Sequence, residues 1–580
     1  MQKKIVEVIK KAIVKLGVKE NIKIELSVPP KPEMGDFAFG CFPLAQSLEK
    51  SPVEIAKELK GAIEELKTSK NLRTSDFHPL YTGGDFIEYI QTAGPYINFI
   101  LANEYFVEMV KHILKVGDNW GKVNLLNGKI FLSEHTDPNL FKEFHIGHMM
   151  TNSIGESLSR IADFVGAEVK QVTFQGDVGL HVAKTLYGMM NKKSEMPDNE
   201  MSVWEKQEFL GRCYAWGEKQ YSTKKTIKAK EAIVEINKKV YSKEDKEQNK
   251  LYEIGKKWSL EYFDEIYKLI GSHFDYYFLE SETFTDGKRL VEENIGKIFQ
   301  KSKGAVIFPG SKYGLHDRVF INSEGLPTYE AKDIGLFYKK WEKYNPDISL
   351  TITDGEQKQY FEVVKKAAGM INKKWEEKTV HLAHGTLRLK SGKMSSRTGD
   401  IIRAKKWVED TADVVAVKMK KDDKQIAKKI AIAAIKYSIL KVQAGKDIVY
   451  NQDEALSFEG DTGPYLQYTY VRAMSILKKI EGIDFKNKKE NVVSSNIPMV
   501  GKTVLKFPEI VNQAFLSYSP HHIATYLHKL ASEFNSFYAQ TRILDRKNSN
   551  YIYNILLTKS IAQTLKNGLY LLGIEVVEEM

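Results

Sequence analysis

Apolar and polar positions repeat along the chain with two periods, and the changes between them mark out its elements. Residues 4–16 place Ile5, Val8, Ile9, Ala12, Ile13 and Leu16 on one face, the 3.6-residue repeat of an amphipathic helix. A strand over residues 22–28 stops at Pro29-Pro30-Lys31-Pro32. Ser51 and Pro52 then supply a cap and a first helical residue for a helix reaching about Lys67. Strands over 86–91 and 96–101 and a helix over 103–116 complete a small α/β unit. The stretch 118–128 reads as a linker.

From Lys129 the pattern changes. Ile130 to Leu132 form an apolar strand, followed by a polar turn containing Pro138 and Asn139. A helix then carries Ile154, Leu158, Ile161 and Val165 and stops at Gly166. Residues 169–174 are a second strand. A β-α-β unit of this kind must be parallel and right-handed. The predicted class is therefore α/β, with a Rossmann-like, doubly wound parallel sheet. The turn after its first strand lies at the carboxyl end, where such sheets bind ligands. Residues 191–257 are dense in Lys and Glu with few apolar positions (Ile227, Ile233, Ile236, Val240), which predicts a solvated helical insertion. From Lys406 onward helical spacing dominates. Phe458–Tyr468 leads into one helix, and Ser519-Pro520 opens another bearing Ile523, Leu527, Leu530, Phe534 and Phe537, so the C-terminal part is an all-α bundle.

The expected domains are 1–118, 119–405 with the insertion at about 191–275, and 406–580. At 580 residues there is ample chain for several cores. With 86 basic against 75 acidic residues the net charge is +11, which favours a polyanionic partner. Only Cys41 and Cys213 occur, which excludes a disulfide framework or a cysteine zinc site and fits a reducing compartment. No run of 18 apolar residues exists to span a membrane, and the N-terminus lacks a signal-peptide core; a cytoplasmic, monomeric protein is expected.

The chemistry concentrates where the strand from Ile130 meets the helix. A helix N-terminus presents unpaired N–H groups and a positive dipole end to one point, and His145 and His148 add donors where a phosphate would sit. Gly147, lacking a Cβ, lets a flat ring lie on the backbone. Taken as a bare tetrapeptide, His-x-Gly-His is also compatible with two surface histidines; the flanking strand and helix give it its context. Further on, Tyr329 and Asp333 fall four apart on one helix face, alone no more than a surface pair. The loop Lys390-Ser391-Gly392-Lys393-Met394-Ser395-Ser396-Arg397-Thr398-Gly399-Asp400 carries cations among Gly and Ser.

The run Ser133-Glu134-His135-Thr136-Asp137-Pro138-Asn139, continued by Lys142 and His145-Ile146-Gly147-His148, resembles the HIGH signature of class I aminoacyl-tRNA synthetases, in its arginyl-tRNA synthetase form. The 390–400 loop resembles the KMSK loop, with Ser396 in place of the second lysine. In this family a lysine upstream of HIGH, here Lys142, compensates. Met34-Gly35-Asp36-Phe37-Ala38 and Gly94-Pro95-Tyr96-Ile97-Asn98-Phe99 look like the family's N-terminal, tRNA-elbow-contacting domain. Phe534-Asn535-Ser536-Phe537-Tyr538 looks like its anticodon-binding bundle. The resemblance implies ATP-dependent ligation of L-arginine to tRNA(Arg) through arginyl-adenylate, with Mg²⁺ accompanying ATP and no protein metal site. It also implies that the first step requires tRNA.

Carried over residue by residue, the resemblance gives His145, His148, Lys393 and Lys142 the catalytic roles. ATP would lie on His145, Gly147, His148, Lys393, Met394 and Ser395. Glu134, Asp333 and Tyr329 would hold the guanidinium, whose five in-plane donors demand forked acceptors. Asn139 would fix the substrate backbone and Gln357 its amino group. Three departures stand out: Val178 replaces the tryptophan of a Gly-Asp-Trp-Gly segment, Ser396 replaces lysine, and Met149-Met150 replaces Leu-Arg. Three rivals share parts of this pattern. They are a class I synthetase for another amino acid, a small-molecule nucleotidyltransferase with His-x-Gly-His, and an inactive tRNA-binding relative.

Overall fold

The computed structural model describes residues 2–18, 22–68, 86–223, 227–390, 402–419, 423–480 and 497–580. The chain divides into two compact units. One comprises residues 1–120, 473–506 and 532–564; the other comprises 121–472, 507–531 and 565–580.

In the first unit, α1 (Gln2–Lys15) buries Ile5, Val8, Ile9 and Ala12, the face its spacing predicts. Strands β1 (Leu26–Ser27), β2 (Phe37–Gly40), β3 (Ile87–Ala93) and β4 (Tyr96–Leu101) form an antiparallel sheet in the order β1-β2-β4-β3. The strand expected over 22–28 shrinks to β1. It is an edge strand with exposed Lys23 and Glu25 before it and the prolines after it, so little remains to pair. Helix α2 (Pro52–Thr68) starts at a reciprocal cap: Glu54 N donates to Ser51 Oγ (3.3 Å), and Ser51 N donates to Glu54 Oε2 (3.1 Å). Helix α3 is Asn103–Val116.

The second unit is built on five parallel strands: β5 (Ile130–Glu134), β6 (Glu168–Gln175), β7 (Tyr276–Leu279), β11 (Ile348–Asp354) and β12 (Thr379–His384). Their order is β12-β11-β5-β6-β7. Strand β5 is central, and its neighbours β6 and β11 come from opposite halves of the chain. The strand order therefore reverses between β5 and β11, opening a crevice at their carboxyl ends, where Glu134 lies beside Thr351. Helix α4 (Ile146–Phe164) makes the β5-to-β6 crossover. Helix α9 (Glu280–Glu293) follows β7, and after it a small antiparallel sheet is formed by β8 (Gln300–Ser302), β9 (Ala305–Phe308) and β10 (Arg318–Ile321). Its apolar face joins Phe337, Trp341, Phe361 and Trp375 in one core.

The insertion is less solvated than its composition predicts. After α5 (Leu180–Asn191) come α6 (Val203–Ser222), α7 (Ile227–Ser242) and α8 (Lys246–Ile270), which bury Phe209, Cys213, Ile233, Trp258, Tyr262 and Phe263. Helix α8 grips the turn ahead of α4: Phe141 N donates to Ser259 Oγ (2.9 Å) and Phe144 N to Tyr262 Oη (3.2 Å). A Cβ on Gly255 would meet the Phe141 ring at 2.2 Å, so the contact needs glycine. In α8 the buried positions, Tyr252, Gly255, Ser259, Tyr262, Ile266 and Ile270, follow helical spacing, but Gly255 and Ser259 break the run of apolar residues by which the stripe would be recognised. A parallel pair, β13 (Leu387–Leu389) with β14 (Ile448–Tyr450), was likewise hidden among helical spacing, because each strand is three residues long.

Candidate active site

His145 caps α4 with its own ring. Its Nδ1 accepts from Gly147 N (3.1 Å), while His148 Nδ1 accepts from His145 N (3.3 Å), a capping box built from two imidazoles. The rings stack with centroids 3.8 Å apart at 22°. Burial lowers the pKa of both, and each is lowered further by Lys142, with His145 also acting on His148, so both are neutral at pH 7. A neutral imidazole whose Nδ1 accepts must carry its proton on Nε2. The pair thus offers two Nε2–H donors at a helix start whose Ile146 and Gly147 N–H groups already have partners, Ile402 O and His145 Nδ1. A Cβ on Gly147 would lie 2.9 Å from His145 Cε1. The glycine is therefore required by the capping ring itself, besides lining the adjoining cleft. Lys142 is half-buried over the Tyr214 ring (4.9 Å), its pKa lowered by burial and by Lys184.

The turn between β5 and α4 holds three non-glycine residues in the left-handed region, Thr136 (φ 81°), Asp137 (φ 43°) and Phe141 (φ 64°). Such residues persist where the surroundings over-determine them. Here Phe174 N donates to Asp137 Oδ1 (2.7 Å) and Asn152 Nδ2 donates to Thr136 Oγ1 (3.1 Å). Behind the turn, buried His135 bonds Thr136 Oγ1 (2.8 Å) and Gln171 Oε1 (3.2 Å).

Acidic groups converge at the switch point. Glu134 is buried at the end of β5 and ion-paired with Lys340. Asp333, one turn into α10 (Tyr329–Lys343), accepts from Tyr360 Oη. Burial, with Glu134, Glu280 and Glu330 nearby, pushes Asp333 up to about 8 against that hydrogen bond. Asp137 is also raised, by burial and by Glu134, against Phe174 N and Lys340. Glu280 is matched separately by buried Lys332 (2.7 Å). Tyr329 is exposed, its ring 4.9 Å from Lys332 Nζ. Asn139 lies against the start of the next loop: a Cβ on Gly176 would meet its Oδ1 at 2.2 Å. Gln357 is exposed on the turn after β11, its N donating to Asp354 Oδ1 (3.2 Å). The structure thus brings Glu134 and Asp333 within electrostatic reach, and sequence reasoning missed Lys340 and Tyr360 beside them. Neither carries a motif.

Beside the histidines opens a cleft of about 860 Å³ lined by Ile146, Gly147, Met150, Gly355, His384, Thr386 and Asp447. His384 Nε2 lies 2.9 Å from Thr151 Oγ1 on α4. Met150 is buried in its wall, and Met149 and Val178 are core residues. Lys393, Met394, Ser395, Ser396 and Arg397 lie outside the described residues. The residues flanking them are described: Lys390 N donates to Tyr450 O (2.9 Å), Ile146 N to Ile402 O (3.1 Å), and Ala404 N to Phe144 O (2.9 Å). Arg403 pairs with Glu143 at 2.7 Å. The chain beyond that segment is therefore bonded directly to the histidine motif.

A parallel sheet with its switch point served by this motif is the catalytic core of a class I aminoacyl-tRNA synthetase. Residues 109–452 match the class I (R) tRNA synthetase catalytic domain, 3–101 the arginyl-tRNA synthetase N-terminal domain, and 466–580 the DALR anticodon-binding domain. The arginine–tRNA ligase of Clostridium kluyveri is 31% identical over 588 residues, spanning 97% of this chain and 98% of that one. That of Treponema denticola is 29% identical, spanning 96% and 95%. The fold superposes on Thermus thermophilus arginyl-tRNA synthetase with a TM-score of 0.77 at 24% identity, over 99% of both chains. The chain belongs to the arginyl-tRNA synthetase family, and it charges tRNA with arginine using ATP.

Proposed function

We propose that arginine is activated in the crevice between β5 and β11, its guanidinium held by Glu134, Asp333 and Tyr329. Asn139 holds the substrate backbone and Gln357 its amino group. The reading rests on one observation: Glu134 is ion-paired with buried Lys340, and Asp137 and Asp333 both lie close enough to Glu134 for its charge to raise them. A guanidinium completes that charge balance and supplies forked donors. An amino acid without it would leave buried carboxylates unpaired, at a cost of about 1–3 kcal/mol or more.

The adenosine of ATP occupies the adjoining cleft, with its phosphates at the start of α4. There the Nε2–H groups of His145 and His148 and the ammonium of Lys142 offset developing phosphoryl charge, joined by Lys393, Met394 and Ser395. A carboxylate oxygen of arginine attacks the α-phosphorus in line; the bond to the bridging oxygen breaks and pyrophosphate leaves. A ribose hydroxyl of the terminal adenosine of tRNA, the 2′-hydroxyl in class I enzymes, then attacks the acyl carbon, releasing AMP and a proton. We assign Mg²⁺ to the ATP phosphates, whose oxygens are the hard ligands it prefers. No helix of the described residues is long and apolar enough to cross a membrane. Cys41 and Cys213 are both free and buried, which supports a cytoplasmic protein, read here as a monomer.

Asp333→Ala tests the arginine pocket. It raises the arginine KM by about 10²-fold with the ATP KM unchanged; a rise under about threefold, less than ~0.7 kcal/mol, removes Asp333 from the site. ATP–pyrophosphate exchange requires tRNA, and full exchange without it refutes that requirement.

A further inference from the structure

Lys340 belongs to no motif, yet it occupies the centre of the acidic cluster. It stands on α10 two turns after Asp333, so both project from one helix face. Its side chain is 2% exposed and Glu134's 5%, and the two form an ion pair. Its Nζ also reaches Thr351 Oγ1 (3.3 Å), on the β11 residue registered opposite Glu134. Glu134 is therefore paired with a resident ammonium, while Asp333 and Asp137 both lie close enough to feel its charge and Asp137 also feels that of Lys340.

A buried ion pair is a weak source of stability, since two well-packed apolar side chains of similar volume do as well or better. Its effect here is local. Three carboxylates enclosed together cannot all stay ionised; one takes a proton and loses an acceptor. A fixed cation beside Glu134 relieves that repulsion, and its second contact, to Thr351 Oγ1, anchors the ammonium in place. Because Lys340 comes from the helix that carries Asp333, it also fixes the spacing between the two acceptors.

We propose that Lys340 is a positioning residue for arginine, a built-in counter-ion that pairs with Glu134 and aims it at the guanidinium. The proposal rests on the reading that Glu134 binds arginine, and the test separates the two. Lys340→Met, Lys340→Arg, Glu134→Gln and the double variant Glu134→Gln/Lys340→Met are compared by arginine and ATP KM, kcat and thermal unfolding. Lys340→Met raises the arginine KM by about tenfold or more with the ATP KM unchanged, and Lys340→Arg restores it to within about threefold. Acting through Glu134, Lys340 adds nothing once that carboxylate is gone, so the double variant matches Glu134→Gln alone. The double variant, having no unpaired buried charge, also keeps the test open should Lys340→Met fold poorly. If Glu134→Gln raises the arginine KM and Lys340→Met does not, the counter-ion role is overturned. Additive effects in the double variant overturn it as well. If Glu134→Gln leaves the arginine KM unchanged, both readings fall.

Discussion

The imidazoles of His145 and His148 are stacked, and both direct Nδ1 at the backbone of the turn they cap. That arrangement leaves Nε2–H of each ring available to a ligand, and it separates two substitutions usually grouped together. A glutamine amide can reach the position of Nε2, whereas an asparagine amide reaches only that of Nδ1. His148→Gln should retain more ATP–pyrophosphate exchange than His148→Asn, with His148→Ala lower in kcat by about 10²–10³. Equal activity of the Gln and Asn variants would show that the cap, and not the donor, carries the effect.

With Asp333 holding the guanidinium as proposed, arginine binding depends on pH. Raised to about 8 by burial and by neighbouring carboxylates, its carboxyl is protonated in the empty site at neutral pH, and a guanidinium selects the ionised form. Binding should release a proton, and the arginine KM should fall as pH rises from 6 to 8, by at most about tenfold per pH unit. Above the folded pKa the dependence ends. Calorimetry in buffers of different ionisation enthalpy measures the proton directly, and its absence at pH 7 would count decisively against this account. The same carboxyl binds its proton more tightly folded than unfolded, so in the free protein it lowers stability as pH rises from about 4 to 8.

Gly176→Ala tests the placement of Asn139. The glycine's φ is ordinary, so the backbone accepts alanine, but the new Cβ would lie 2.2 Å from Asn139 Oδ1 and must displace it. The arginine KM should rise by roughly tenfold with ATP binding intact. An unchanged KM would place Asn139 outside the substrate site.

His135 supplies an acid-sensitive lock behind the strained turn. Burial pushes it down to about 4, despite Glu156 and Gln171, against a usual value near 6.5. As pH falls below 6.5 the unfolded chain takes up the proton first, so the folded form loses stability from this group down to about pH 4, opposite in sign to Asp333. The stability lost in His135→Gln, measured by denaturant unfolding, should therefore be smaller at pH 5 than at pH 7 by about 2 kcal/mol. A cost independent of pH would show that His135 is not buried neutral.

Local chemistry made much of this protein legible along the chain. The helix at 103–116, the Ser51–Glu54 cap and the strand–turn–helix around His145 all depend on neighbours within a few residues, and each has the structure its spacing predicts. The motif residues also come out of the sequence, since a helix N-terminus with two imidazoles needs no distant partner to be recognised. What only the tertiary structure decided are the relationships across the sheet. Strand order places Glu134 beside Thr351, and helix α10 delivers Asp333 and Lys340 to the same carboxylate. The charged insertion turns its aromatics onto the turn before His145. Such contacts join residues far apart in the chain, and their energies come from burial and mutual electrostatics, which no local pattern of residue types encodes.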